Sequence, residues 1–320
     1  MLKKAVVGLL AIAVSTGCSS VAGSVSSSLS GSAPDPPLQC RLPVISPTTP
    51  GVPPGGWITF PGGGFERDPA SLPGRLNAHV PSYDRAIKAW VPVESRYVAP
   101  DGASYILTND VSLPDPSAFY LVDVKTGTRR FVLGGDGPPQ APSSWSVVTY
   151  ASAGVYLWSV GIETVPGLWL LDPATGKVRL IDGTHYWRMV ATGVAWALDP
   201  QGSGPGVKQA VYRLDLATGR VERWYETDKP ISMLSPDTDG HVLVVIGDDS
   251  APQLGLLVGP DRFQRLAPPP DFPLIADGYL QRPGVWLSFR LGGLALYTPA
   301  GGVRIVTRTT DIFDVAGGCW

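Results

Sequence analysis

Charged side chains that could hold a metal ion or a polar ligand recur at the start of several predicted repeats along this chain. They are Arg96, Arg188, Asp277, Asp311 and Asp314. Carboxylates and guanidinium groups that converge in a cleft can fix the orientation of a polar ligand. The five side chains could instead pair with one another or with water, so their use depends on whether the fold brings them together.

Several catalytic patterns are missing from the sequence. Ser203 does not fit a Gly-x-Ser-x-Gly nucleophile elbow, and the glycines at 62–64 are not followed by Gly-Lys-Ser/Thr. The segment Asp237–Gly240 is partly like a calcium turn, but it lacks the glutamate that completes an EF-type loop. The histidines fall in different predicted repeats: His79, His185 and His241. The sequence therefore predicts a protein that is not an enzyme and that has no metal or other cofactor.

The elements that must position these residues are β-hairpins that recur along most of the chain. In the clearest copy, residues 168–181, an apolar run leads into Asp172-Pro-Ala-Thr-Gly176 and an alternating run follows. The glycine can take the left-handed conformation that such a turn needs. Related copies are anchored at positions 84, 123, 215, 258 and 298. A period of about 40 residues indicates a repeat architecture whose unit holds four short strands.

Between the hairpins lie pairs of short runs that we interpret as the inner two strands of each unit. They are 95–102 with 103–107, 145–150 with 155–160, 186–191 with 194–198, 231–237 with 241–246, and 274–277 with 285–289. Pro100-Asp101-Gly102 and the turn 235–240, each opening a second strand, resemble the Ser-Pro-Asp-Gly turns of TolB-type and WD-like β-propellers. The resemblance covers roughly residues 57–317, and it implies protein–protein contacts within an envelope assembly.

The number of units predicts an all-β, six-bladed β-propeller. Six hairpins are present, the first of which, at 83–93, lacks an inner strand, whereas residues 311–317 resemble an inner strand with no hairpin after it. If the C-terminal strand completes the first blade, in a 3+1 closure, the ring has no exposed sheet edge. We further expect a proline-rich loop at 42–56 and a strand at 57–60. Inner strands line the central channel of a propeller, so the five charged residues could meet there.

The ten tryptophans should mostly pack between blades. Trp145 and Trp187 lie at the starts of predicted inner strands, and they are candidates for stacking on sugar rings or aromatic peptide side chains at the channel mouth.

The first 17 residues have the composition of an export signal. Lys3 and Lys4 precede an apolar run at 5–14 that is too short to remain as a membrane-spanning helix. The following Ser15-Thr-Gly-Cys18 resembles the lipobox of bacterial lipoproteins. The resemblance implies acylation of Cys18, with palmitate among the attached chains, and anchoring at the outer face of the cell membrane or envelope. The alternative is an ordinary cleaved signal followed by an incidental cysteine.

Residues 18–39 are rich in Ser, Gly and Pro and are predicted to form a disordered tether, with the propeller occupying 40–320. If Cys18 carries lipid, Cys40 and Cys319 remain, and they flank the folded body. Exported proteins meet oxidising conditions, so we expect these two to form a disulfide where the chain ends meet, unless both stay free thiols.

Composition narrows the function further. The net charge is −2 and no basic run follows residue 4, so nucleic-acid binding is not expected. We predict a lipid-anchored, monomeric binding or scaffold module for a protein partner or an envelope component. Two alternatives are a metal-dependent lactonase or esterase of the propeller type, and a carbohydrate-binding module that uses the channel-mouth tryptophans.

Overall fold

The computed structural model describes residues 37–46, 54–71, 80–108, 118–134, 145–159, 167–201, 207–311 and 313–320. The predictions for the signal segment, for Cys18, for nearly all of the tether, for His79 and for Ser203 lie outside the described residues. The described residues all belong to one unit that begins at Pro36.

The first strands of the chain form most of one blade and a separate hairpin. They are β1 (Arg41–Ile45), β2 (Gly55–Thr59), β3 (Gly64–Arg67), β4 (Ser82–Asp84) and β5 (Ala89–Val91). Strands β1, β2 and β3 belong to one antiparallel sheet, whereas β4 and β5 pair only with each other.

The second blade begins with a short 3₁₀ helix, Ser95–Tyr97, and continues with β6 (Ser104–Leu107), β7 (Phe119–Asp123) and β8 (Arg129–Leu133). The predicted inner strand at 95–102 is largely absent, because only Val98 bridges to Tyr105 on β6. The backbone N–H of Ala99 already bonds to the carbonyl of Ser104. The tight turn at Pro100–Gly102 therefore begins directly after that bridge and leaves no room for a longer ladder.

The next four blades each contain four antiparallel strands in chain order. The third has β9 (Trp145–Ala151), β10 (Gly154–Ser159), β11 (Leu168–Leu171) and β12 (Val178–Asp182), and the fourth has β13 (Trp187–Ala191), β14 (Val194–Gln201), β15 (Lys208–Asp215) and β16 (Val221–Thr227). The fifth has β17 (Ile231–Pro236), β18 (Val242–Ile246), β19 (Gln253–Gly259) and β20 (Arg262–Arg265), and the sixth has β21 (Ile275–Gln281), β22 (Gly284–Phe289), β23 (Leu294–Thr298) and β24 (Gly302–Thr307).

The C-terminal strand β25 (Asp314–Val315) closes the ring. It pairs with β1 through Val44 opposite Val315 and Ile45 opposite Asp314, which makes the sheet order β25, β1, β2, β3. The six-bladed, all-β propeller with its first blade completed by the C-terminal strand is therefore confirmed.

The content of the first blade differs from the prediction in two respects. The hairpin at 83–93 is not its outer pair, because β4 and β5 form a separate two-stranded sheet. All of strand β1 after Arg41 instead lies in the segment 42–56, which was expected to be a loop. Pro43 argues against a central strand, but its carbonyl accepts the N–H of Ala316, so its missing donor faces the short strand β25 rather than β2.

The repeated Asp-x-x-Thr-Gly turn has a local physical cause. In the third blade, the Asp172 carboxylate accepts the hydroxyl of Thr175 at 2.7 Å, and Gly176 takes a left-handed φ of +71°. Hydrogen bonds from this threonine hold the pKa of Asp172 below its usual value. The same arrangement recurs at Asp123 and Asp215. The turn chemistry is therefore what makes the repeat visible in sequence.

Aromatic and aliphatic side chains fill the space within and between blades. The largest side chains that are almost fully inaccessible include Trp187, Trp196, Trp286, Phe289 and Phe313. Most tryptophans on blade strands are buried as expected, although Trp158 and Trp169 are only half-buried.

A disulfide joins the two ends of the described chain. Cys40 and Cys319 are bonded, with their Cα atoms 5.6 Å apart and a sequence separation of 279. Arg41 and Trp320 also exchange two backbone hydrogen bonds, at 2.8 and 3.2 Å, so the tail continues alongside the start of β1. The predicted pairing of these two cysteines is present in the structure.

We expect Cys319→Ser to lower the free energy of unfolding under oxidising conditions by up to about 4–5 kcal/mol, because so long a closed loop restricts the unfolded chain strongly. Thermal or denaturant unfolding with and without reductant measures the effect. The wild type and the variant should become nearly equal once the wild type is reduced, and Cys40→Ser should match Cys319→Ser. An equal loss of stability in both conditions would contradict a role for the bridge.

Candidate functional site: the central channel

The central channel is a cavity of about 610 Å³ to which all six blades contribute. The second blade contributes Glu94–Arg96, the third β9, the fourth β13, the fifth β17, the sixth β21 and the first β25. Each contributes through its innermost segment, so the ring geometry brings together residues that are far apart in sequence.

The inner strands of the fifth and sixth blades, β17 and β21, pack closely against each other at the channel wall. A Cβ atom at Gly278 on β21 would lie 2.9 Å from the Cβ of Leu234 and 3.1 Å from its carbonyl carbon. Only glycine permits this approach, and it leaves the neighbouring Asp277 and Tyr279 beside the channel.

One sector of the channel is acidic. Asp314 on β25 and Asp277 on β21 both line the cavity, and the hydroxyl of Tyr279 donates to Asp314 Oδ1 at 2.8 Å. Burial and the negative charges of Asp277 and Asp314 raise the pKa of Tyr279, so the phenol stays protonated and acts as a donor. We call Asp277, Tyr279 and Asp314 the acidic sector.

The charge on Asp277 is disfavoured in the folded protein. Its side chain is accessible to channel water, but protein atoms surround it on several sides. This partial desolvation, together with the charge of Asp314, raises the pKa of Asp277, while the N–H of Gly278 and the charge of Arg96 partly oppose the rise. A cation placed between the two carboxylates would relieve their repulsion.

The two arginine side chains that line the channel already have partners. Arg96 forms an ion pair with Glu94, with Nε and Oε2 2.7 Å apart, and the guanidinium of Arg188 lies 5.4 Å from the ring centroid of Trp158. A hydrogen bond of 3.2 Å from Gln281 Nε2 to Ser95 Oγ joins the sixth blade to the second. The acidic sector is therefore the part of the described wall with negative charge available to a ligand.

The structure brings together four of the five charged residues that the sequence singled out: Arg96, Arg188, Asp277 and Asp314. The fifth, Asp311, is exposed outside the channel, where its carboxylate contacts the hydroxyl of Thr309 at 3.3 Å. It precedes the short strand β25 instead of lying on it, which is why it does not reach the channel.

The expected stacking role of Trp145 and Trp187 at the channel mouth is wrong. Trp145 is 6% exposed and packs edge-on against Trp169, and Trp187 is fully buried with its indole N–H donating to Asp182 at 2.8 Å. Both side chains point into the packed interior, because successive side chains of a strand face opposite sides of the sheet.

Sequence reasoning missed several channel residues. Tyr279 and Gln281 lie on the part of β21 beyond the predicted strand end at 277, and Glu94 precedes the inner strand expected at 95–102. The polar side chains at 277, 279 and 281 could have indicated these positions, since residues two apart on a strand share a face and Asp277 was already expected in the channel.

Two histidines have carboxylate partners that the sequence did not indicate. His185 Nδ1 lies 2.6 Å from Asp199 Oδ2, and its ring stacks on Tyr212 at 3.8 Å between centroids. His241 Nδ1 lies 3.2 Å from Asp237 Oδ2. These contacts hold both imidazoles in place.

Asp237, Asp239 and His241 could offer ligand atoms to a metal ion, since these atoms lie within 4.8 Å of one another. However, Asp237 Oδ1 accepts the N–H groups of Asp239 and His241, and its Oδ2 contacts the His241 ring. Both oxygens are thus used within the turn, as expected for a strand-connecting turn.

The fold defines the class to which this protein belongs: it is a six-bladed β-propeller. No protein-family model matches the sequence, and no curated protein matches it. Solved structures with a similar fold include TolB from Acinetobacter baumannii, at 15% identity and a TM-score of 0.43 over 88% of this chain and 65% of TolB. This chain therefore spans slightly less than two thirds of TolB.

Two other similar structures carry the names of enzymes. A gluconolactonase from Xanthomonas campestris has 13% identity and a TM-score of 0.37, over 90% of this chain and 89% of that protein. An acylaminoacyl peptidase has 12% identity and a TM-score of 0.45, over 70% of this chain and 40% of the peptidase. At such identities the likeness concerns the fold alone.

The described part of the chain has no helix with the length and hydropathy needed to span a bilayer.

The raised pKa of Asp277 predicts that Asp277→Asn stabilises the protein at neutral pH. Between the ordinary aspartate pKa of 3.8 and the raised folded value, the folded state binds more protons than the unfolded state, so stability falls as the pH rises through this window. Asparagine does not ionise, so the variant keeps the stability that the wild type loses as the pH rises. Because water reaches the side chain, we expect a gain of less than about 1 kcal/mol.

Urea unfolding at about pH 7 and about pH 3 measures this difference, which should vanish at the lower pH because both states then carry the proton. Asp311→Asn is the matched control, since that carboxylate is exposed outside the channel. A gain that is the same at both pH values would contradict the explanation.

Proposed function

We propose that this protein is exported, is anchored through lipid on Cys18, and acts as a non-enzymatic binding or scaffold module. In this proposal its partner is a protein or another envelope component, part of which enters the central channel. The observation that carries the proposal is the convergence of six inner segments on one polar cavity that contains the acidic sector.

The charges of the channel support a partner that presents a cationic group. Arg96 is paired with Glu94, whereas neither Asp277 nor Asp314 forms an ion pair with a described basic residue. A lysine, an arginine or an ammonium group of the partner would supply the missing positive charge. The nearby Gln281 and Ser95 can add hydrogen bonds that orient the bound segment.

The runner-up is a metal-dependent lactonase or esterase. Its support is that two carboxylates, Asp277 and Asp314, face the same cavity. Elemental analysis of the purified protein, together with lactone hydrolysis before and after treatment with a chelator, distinguishes the two functions. Stoichiometric metal and an activity that is lost in chelator would favour the enzyme. Carbohydrate binding through Trp145 and Trp187 is not proposed, because both side chains are buried.

The binding proposal predicts that the double variant Asp277→Asn, Asp314→Asn loses its envelope partner. Chemical crosslinking in intact envelopes, followed by quantitative mass spectrometry, should show recovery of the partner falling at least about fivefold, as expected when two charge contacts with the partner are removed. Recovery by the wild type should also fall as salt is raised. Asp311→Asn, which changes the same group outside the channel, should behave as wild type. Unchanged recovery by the double variant would reject the channel as the binding site.

The anchoring proposal predicts that Cys18→Ala moves the protein from the membrane fraction to the released fraction. The variant should also lose incorporation of a labelled palmitate analogue, because its thiol would be the acylated group. Ser19→Ala is the matched control and should remain with membranes. Continued membrane association of the cysteine variant would contradict the anchor without affecting the channel.

A further inference from the structure

A second cavity, of about 540 Å³, lies where the hairpin β4–β5 meets the first blade and the tail. Its wall includes four aromatic rings and two charged side chains that could contact a ligand: Trp57, Tyr83, Trp90, Trp320, Asp68 and Lys88. We call this cavity the aromatic pocket. It shares no lining residue with the central channel, so it is a separate site.

The four rings of the aromatic pocket touch one another. Trp57 packs at 4.7, 6.0 and 5.5 Å between centroids from Tyr83, Trp90 and Trp320 respectively, and Tyr83 stacks on Trp320 at 5.4 Å with an interplanar angle of 23°. Edge-to-face and stacked contacts of this kind stabilise the arrangement of the four rings.

One of these rings remains open to solvent. Trp57 and Trp90 are 6% and 8% exposed, as core residues would be, whereas Trp320 is 39% exposed. An indole that stacks on Tyr83 on one side and keeps this much free surface offers an apolar platform to a ligand. The cavity volume lies within the usual range for small-molecule sites.

A carboxylate stands beside the platform. Asp68 Oδ2 accepts the indole N–H groups of both Trp57 and Trp90, each at 2.9 Å, and Oδ1 accepts the N–H of Ala70 at 2.9 Å. Burial opposes the charge, but these bonds and the nearby Arg41 outweigh it and lower the pKa of Asp68, so the group is ionised. A carboxylate can accept about four hydrogen bonds, and the described residues supply three of them, so they leave one position for a ligand donor.

A donor lies on the hairpin side of the same cavity. Lys88 is exposed, and it forms no ion pair with any described residue. Its backbone φ is +53°, in the left-handed region that a lysine seldom adopts. The turn between β4 and β5 thus holds the lysine at the edge of the aromatic pocket in a strained conformation, a feature that is common at binding sites.

From this combination we infer that the aromatic pocket binds a saccharide ring. The C–H groups of a sugar pack against an aromatic face, and each sugar hydroxyl can both donate, here to Asp68, and accept, here from Lys88. A cationic ligand fits less well, because three basic and two acidic residues line the cavity and Arg41 already lies over Trp57 at 4.7 Å. The inference does not depend on the proposed function of the channel.

Isothermal titration of the full chain with soluble oligosaccharides tests the inference. Maltotriose, cellotriose, chitotriose and a trimannuronate are the probes. We expect at least one to bind with a dissociation constant of about 1 mM or below. Trp320→Ala should weaken that binding about tenfold through the loss of one stacked ring, whereas Trp320→Phe should retain most of it. Phe131→Ala, which removes an aromatic ring that is 56% exposed elsewhere, is the matched control.

Lys88→Asn provides a second test that leaves the aromatic rings intact. Asparagine tolerates the left-handed backbone, and it replaces the long side chain and its ammonium group by a short neutral amide. This variant should weaken binding several-fold with an unchanged unfolding temperature. The inference is overturned if none of the four probes binds the wild type, or if both Trp320→Ala and Lys88→Asn bind as tightly as Phe131→Ala does.

Discussion

The pairing of the two-residue strand β25 with β1 is the interaction on which the rest of the structure depends. Five of the six blades draw on continuous stretches of chain, but the first needs residues from both ends. Without that pairing, β1 would leave an unpaired strand edge. Two further links reinforce so short a ladder: the disulfide at Cys40 and the backbone bonds between Arg41 and Trp320. The covalent and hydrogen-bonded links act at the same place because that is where the ring could otherwise open.

The closure also builds both candidate sites. Strand β25 carries Asp314 into the channel, where it meets Asp277 and Tyr279 from the sixth blade. Immediately after β25, the tail brings Trp320 against Trp57 and Tyr83. The segment that seals the ring therefore contributes a charged group to one cavity and an aromatic ring to the other. Stability and binding are linked here through a few residues, as is common where a fold positions its functional groups.

The sequence was sufficient for the architecture because three consecutive blades, the second to the fourth, repeat the same turn chemistry. The Asp172–Gly176 turn recurs with its hydrogen bonds, so the hairpins and the blade number could be predicted. The sites were predictable only in part. Inner strands were located well enough to place Asp277 and Asp314 in the channel, but the direction of a side chain depends on strand register, which short patterns do not determine. For the same reason the buried Trp145 was misplaced. The aromatic pocket combines segments with no common motif, so only the folded chain reveals it.

The hairpin β4–β5 lies between the two cavities and contributes residues to both. Ser82 faces the central channel, whereas the next residue, Tyr83, faces the aromatic pocket. This follows from the pleat of a strand, which sends adjacent side chains in opposite directions. The strand is held from both sides, because the Ser82 hydroxyl donates to the carbonyl of Val93 and the N–H of Tyr83 donates to the carbonyl of Ala316. Strand β4 thus contributes adjacent residues to the walls of both cavities, and a shift of its backbone would alter the shape of both.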